Sequence, residues 1–293
     1  MSRGLDHIVH GVRDLDGAAE FYRRVGFTVG ARNRHAWGTH NHLVQLPGFF
    51  IEILTVAEPE LIERESQYRE LARQFGGFNR DAIKRREGLS MLLLESKAIA
   101  ADISALAGAG IGCSGELRFS RQGTQADGKA VTVGFSLGFA RDQLSPHAAF
   151  AVMQQHNPDA FWNAKFQNHA NSANAVRGAV LIADNPTDHH IFLSALTGER
   201  ELHSTSAGIA ARTPRGDVEI IEPVAFRDRY GVNVAAEGEG MTLAGLRLGV
   251  GRLDTAETCL RDSGIAFHRH LDVLVVAPET AFGATLIFEP SGS

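Results

Sequence analysis

Two residues could do chemistry at the start of this chain. His7 stands in the apolar run "LDHIVHGV", and Glu52 stands between Ile51 and Ile53 in "FFIEIL". A neutral imidazole nitrogen and a carboxylate oxygen suit borderline divalent cations such as Zn, Fe, Mn, Co or Ni, and leave positions open for two oxygens of a small molecule. Strand alternation puts Phe50, Glu52 and Leu54 on one face, and a carboxylate on a core-facing strand is costly unless paired or coordinated. The same residues are compatible with a strand histidine satisfied by a carbonyl and a cleft carboxylate without metal. A third donor would come from "AFAVMQQHNP", where Gln154 and His156 share a strand face. His156 reads equally as a cap or loop histidine.

A second group lies in "RHAWGTHNHLVQL". Alternation places His40, His42 and Val44 on one face. If that face lines a cleft, the two imidazoles could act with Glu52 as acid or base near neutral pH; otherwise the stretch is a polar edge turn that also holds His35. Trp37, Arg34, Arg118 and Gln154 are the candidates for contacting substrate, the arginines by gripping a carboxylate or phosphate. Cys113 and Cys259 are the only cysteines, with neither zinc-site spacing nor a disulfide framework, and read as small packing residues. There is no phosphate-binding glycine loop, nucleophile elbow or His-Glu-x-x-His.

The elements that must position these residues repeat. A strand, helix, three-strand pattern runs over 5–56, beginning with a strand, an Asp14 cap, an amphipathic helix and Gly26 as its terminator. Its strand-like runs are "FTVGARN", "HLVQL" and "FFIEILTV". The pattern recurs over 88–155, 174–222 and 241–290. In the second copy Asp127-Gly128 is a strong hairpin turn. A charged insertion at 58–87 is expected to hold an amphipathic helix, with Leu61, Ile62, Tyr68, Leu71 and Phe75 packed on the outside. The expected fold class is α+β: four βαβββ modules in two tandem domains, 1–172 and 173–293, with a linker from 156.

The 293 residues carry 34 acidic and 29 basic side chains, interleaved, for a net charge of −5. No basic stripe would track a phosphate backbone, so nucleic acid is not an expected partner. No apolar run approaches the roughly 20 residues of a membrane span, and no secretory signal pattern is present. The expectations are a cytoplasmic protein, no membrane partner and a small-molecule substrate; homodimer formation is left open.

The segment "LDHIVHGVRDLDGAAEFY", with a later "FFIEIL", resembles the vicinal oxygen chelate superfamily, which includes glyoxalase I, extradiol dioxygenases and bleomycin-resistance proteins; "QQHNPDAFWNAKFQNHANSA" resembles the joining segment of a four-module, glyoxalase-like branch. The resemblance implies two modules curled around one cleft, with ligand positions at His7 and Glu52 for a divalent metal that chelates two substrate oxygens, in lyase, isomerase or dioxygenase chemistry. The alternative is a metal-free small-molecule binding protein of the same fold. This sequence departs from the family pattern in the second module, where Ser90 or Met91 takes the first-strand position, and in the third and fourth, where Gly178 and Gly245 do. Glu219 and Glu289 lie in last strands without histidine partners, so the C-terminal half is expected to bind no metal.

Overall fold

The computed structural model describes residues 1–124 and 130–291. The first unit runs β1 (Leu5–Gly11), α1 (Leu15–Arg24), β2 (Asn33–Arg34), β3 (Thr39–Leu46) and β4 (Phe49–Val56). Asp14 caps α1 by accepting from the Gly17 N–H at 2.9 Å, and Gly26 ends it at φ 97°, a conformation that disfavours side chains with a Cβ. The run "FTVGARN" yields only the two-residue β2. Thr28 is tied instead to the segment joining the two halves: its N–H donates to His169 Nδ1 at 3.0 Å and its hydroxyl to the Asn168 carbonyl at 2.6 Å.

The insertion is not one helix on the outside. After a 3₁₀ turn (Pro59–Leu61) come α2 (Arg69–Leu71), a π-helical turn (Ala72–Gly77) and α3 (Phe78–Arg85). Leu71, Phe75 and Ile83 are buried with Val9, Phe50 and Met91, so the insertion roofs the concave face of the sheet. Asn79 seats it there, donating to the Phe75 carbonyl at 2.9 Å and accepting from Ser90 Oγ at 2.7 Å.

The second unit comprises β5 (Gly88–Glu95), α4 (Ile99–Gly108), β6 (Gly112–Cys113), β7 (Leu117–Thr124), β8 (Ala130–Arg141) and β9 (Ala149–Gln155). The Asp127-Gly128 turn lies outside the described residues. A short α5 (Pro158–Phe161) follows. The third unit is β10 (Ala173–Ile182), α6 (His190–Thr197), β11 (His203–Thr205), β12 (Gly208–Arg212) and β13 (Asp217–Ile221), followed by α7 (Pro223–Tyr230). The fourth is β14 (Thr242–Val250), α8 (Leu253–Asp262), β15 (His268–His270), β16 (Val273–Val276) and β17 (Thr285–Pro290).

Among the described residues the strands form two mixed sheets, ordered β2-β3-β4-β1-β5-β9-β8-β6, with β7 also on β8, and β11-β12-β13-β10-β14-β17-β16-β15. In each unit the first and last strands lie parallel and adjacent, as β1 with β4 and β5 with β9. One apolar cluster joins the convex faces of both sheets and helices α1, α4, α6 and α8. Two smaller clusters line the concave faces. No helix among the described residues is long and apolar enough to cross a membrane.

Candidate functional site

The N-terminal concave face holds a narrow cavity of about 40 Å³. β1 supplies His7 and β4 supplies Glu52, respectively 3% and 4% exposed. The His7 ring stacks on Phe50, centroids 4.3 Å apart, and its Nδ1–H donates to Asp6 Oδ1 at 2.7 Å. Asp6 in turn accepts from Gln155 Nε2 at 3.0 Å. That fixes the tautomer and aims Nε2 at Glu52 Oε2, 3.7 Å away. The other carboxylate oxygen accepts from Asn41 Nδ2 at 2.5 Å. Asn41 accepts from Asn33 at 2.9 Å, and Asn33 accepts from Arg121 Nη1 at 3.2 Å. Four side chains from β4, β3, β2 and β7 thus form one hydrogen-bonded chain ending at Glu52.

The remaining walls are apolar and largely aromatic. His35 stacks on Trp37 at 4.5 Å, with Phe75 and Phe119 edge-on, and Phe135, Phe161, Leu137 and Met153 complete the cavity. The buried Trp37 indole N–H has no acceptor among the described residues. Burial raises the Glu52 carboxyl above its ordinary range, against opposing effects of His7, Asn41 and Arg121. Burial, helped by Arg121, pushes the His35 imidazole down to about 3. His35 is therefore neutral, its Nδ1 2.8 Å from the Thr39 hydroxyl. Burial also lowers Arg121, partly offset by Glu52.

Of the residues singled out from the sequence, the structure brings His7, Glu52 and Trp37 together in this cavity. The others lie elsewhere. On β3 it is Asn41 and Leu43 that face the cavity, so His40 and His42 share the parity of Val44 and turn toward the convex side. His40 Nε2 meets Glu58 at 3.2 Å, and His42 Nδ1 donates to the Gly30 carbonyl at 2.8 Å. Arg34 is exposed, and Arg118 is 71% exposed beside Glu116. Gln154 Oε1 accepts from the Ile99 N–H at the start of α4. His156 is exposed and bonds Ser136 at 2.7 Å. The sequence reading missed Arg121, Asn41, Asn33 and the cavity role of His35. Arg121 was within reach, because it shares a strand face with Phe119 while Arg118 does not.

The donor set does not complete a metal site. His7 Nε2 and Glu52 converge, and Asp6 behind the imidazole is a common support for a ligating histidine. No group of three His, Cys, Asp or Glu side chains suited to a metal occurs among the described residues. From the second unit, Met153 and Leu137 line the cavity, neither a ligand for a borderline cation, and the Arg121 guanidinium brings a fixed positive charge to the same carboxylate. A stable site needs about three protein donors.

The family model for the glyoxalase-like domain matches residues 5–197. The chain belongs to the glyoxalase-like domain family. A search of curated proteins gives no match. Among solved structures, a hypothetical protein from Staphylococcus aureus is 13% identical with a TM-score of 0.68, over 98% of this chain and 99% of that one. A mutant of 4-hydroxymandelate synthase from Streptomyces coelicolor is 11% identical at TM-score 0.58, over 100% and 94%. A xylose isomerase-like TIM barrel/4-hydroxyphenylpyruvate dioxygenase fusion protein is 11% identical at 0.53, over 100% of this chain and 50% of that one. These likenesses show the shared fold. In this glyoxalase-like protein the cavity lies at the centre of the first sheet, where β1 and β4 run side by side and Val9 pairs with Glu52.

Proposed function

We propose that the N-terminal cavity, widened from its 40 Å³ by displacement of the side chains that roof it, binds one small molecule with a flat, apolar body and an oxygen-rich, anionic head, and moves a proton on it without a metal. The supporting observation is the polar wall, His7, Glu52, Asn41 and Arg121, in an otherwise apolar and largely aromatic cavity. Flat aromatic walls favour a planar body, and a largely buried guanidinium favours a carboxylate. The unpartnered Trp37 N–H offers a further donor to a ligand oxygen. His7, backed by Asp6, is a base whose Nε2 faces the cavity; Glu52, held toward its protonated form, is an acid 3.7 Å away. That spacing serves two adjacent atoms of one substrate. The base removes a proton from carbon beside a carbonyl and the acid protonates the carbonyl oxygen, giving an enol; return of a proton gives back the ketone or its isomer. This is isomerase chemistry.

The test uses phenylpyruvate, an enolisable aromatic 2-oxo acid, and benzoate, which cannot enolise. Both should quench tryptophan emission saturably, since Trp37 lines the cavity and Trp162 packs on Phe50. Arg121→Met should weaken benzoate at least tenfold, as loss of a charge-assisted bond of about 1.5–3 kcal/mol implies, and leave neutral benzamide unchanged. Exchange of the phenylpyruvate C3 protons in D₂O should exceed the buffer rate and fall about 10²-fold in His7→Ala. Exchange that survives His7→Ala would refute the catalytic step. One equivalent of divalent metal retained through dialysis, and lost in His7→Ala with Glu52→Ala, would refute the metal-free reading.

A further inference from the structure

The C-terminal cleft has a different content, and strand register shows where it comes from. Val9 pairs with Glu52 and Met91; Val180 pairs with Glu219 and Gly245. By that correspondence Glu219 takes the place of Glu52 and Gly178 the place of His7. Opposite His7 lies Leu93, and opposite Gly178 lies Arg247. Met91 pairs with Ala149 and Gly245 with Thr285, so Glu289 corresponds to Met153 of the N-terminal cavity.

These substitutions are mutually dependent. A Cβ on Gly178 would lie 2.7 Å from the Asp217 carbonyl oxygen and 3.4 Å from Arg247 Nη1, so the neighbouring backbone excludes a side chain at the His7 position and the guanidinium packs against the place it would take. Arg247 Nε and Nη2 donate to the two oxygens of Glu289 at 3.1 and 2.9 Å, and Nη1 donates to Glu219. Arg229 reaches the outer oxygen of Glu219 at 2.5 Å and Arg177 reaches Glu289 at 3.2 Å. Arg247 is 9% exposed and Glu219 7%. Phe226 of α7 closes the cleft, 3.2 Å from where a Cβ on Gly245 would lie. The Tyr230 hydroxyl beneath it is buried without a partner among the described residues.

We propose that the C-terminal cleft is a cation site filled by the chain's own guanidinium, Arg247 held between Glu219 and Glu289, and that shortening this side chain turns the cleft into a binding site for a free guanidinium. The planar fork and two facing carboxylates favour that shape over a point charge. Removing one partner of a buried ion pair leaves the other charges uncompensated.

The experiment is thermal unfolding of the full chain with Arg247→Ala, without and with millimolar methylguanidinium, sodium chloride serving as the ionic-strength control. The variant should melt about 10 °C below the parent. Methylguanidinium should restore part of the loss saturably, leave the parent unmoved, and outperform methylammonium. An unchanged melting point, or an equal response of parent and variant, overturns the proposal. Should Arg247→Ala fail to fold, Arg247→Met with Glu219→Gln and Glu289→Gln decides: Arg177, Arg229 and Asp217 then lose a partner, but their side chains are 44%, 44% and 37% exposed and remain solvated, so the variant should fold and ignore methylguanidinium. Failure of that variant to fold also overturns the proposal. Phenylpyruvate affinity should be unchanged throughout, so this outcome is independent of the N-terminal reading.

Discussion

Glu52 is a carboxyl whose surroundings disagree about its charge. Burial favours the protonated form, while His7, the Asn41 hydrogen bond and Arg121 favour the ionised one, and burial prevails. A carboxyl raised in the fold holds a proton that the unfolded chain releases near pH 4.3 or so, so its contribution to stability is complete below that pH and is lost as pH rises through the folded value. Glu52→Gln keeps the acceptor for Asn41 and removes the titration. Its melting temperature relative to the parent should climb between pH 4 and pH 8, and a difference independent of pH would show that Glu52 does not titrate as described. At this scale the sequence was partly legible. Glu52 could be placed because Phe50 and Leu54 share its parity and are apolar. On β3 both faces carry polar groups, His40 and His42 on one and Asn41 and Gln45 on the other. Alternation there has no contrast to read, so the sequence cannot choose between the face of His40 and His42 and that of Asn41.

The element that decides access is the insertion at 58–87. Its apolar spacing was visible, but spacing cannot say which side of a sheet a helix covers, and the π turn at Ala72–Gly77 has no sequence signature. That turn rotates Phe75 over the cavity beside Trp37. Its two glycines sit in different packing. A Cβ on Gly76 would come within 3.2 Å of both Ile62 Cγ1 and Trp37 Cδ1, whereas one on Gly77 would meet nothing closer than 3.8 Å. Gly77→Ala should therefore stabilise the fold by up to about 1 kcal/mol through helix propensity. Gly76→Ala should destabilise it by about 1–3 kcal/mol and shift tryptophan emission by displacing Trp37. Equal effects in urea unfolding would contradict this packing. Other elements were legible because they carry local chemistry: Asp14 and Gly26 bound α1, and β9 coincides with "AFAVMQQ".

Across the whole molecule the two halves are joined by buried polar contacts as well as by apolar surface. His10 on β1 donates from Nε2 to the Phe282 carbonyl of the C-terminal half at 2.9 Å and accepts from the Tyr22 hydroxyl at 2.9 Å. Burial lowers its imidazole to about 4. An imidazole lowered in the fold contributes stability that is present above pH 6.5 and lost as pH falls toward 4, here about 3 kcal/mol. His10→Gln should start less stable at pH 7 and lose less on acidification, which melting curves at pH 7, 6 and 5 would reveal; parallel curves would sink the assignment. The fourfold repeat was legible because each copy carries its own periodicity. The Glu219, Arg247 and Glu289 network was not, since its members are 28 and 42 residues apart and only the folded register brings them together.

The apolar cluster shared by the backs of both sheets has a further consequence for how the chain is made. When Ala173 leaves the ribosome, Ile8, Val44, Leu92 and Val152 are already in place, but the residues that bury their face, among them Leu181, Leu246 and Phe288, are not. About 120 residues lie between Ala173 and Ser293, a stretch that at roughly 5–20 residues per second takes on the order of ten seconds to synthesise. For that interval the nascent first half presents a greasy, sheet-backed surface to the cell, and holding chaperones have a defined window in which to cover it.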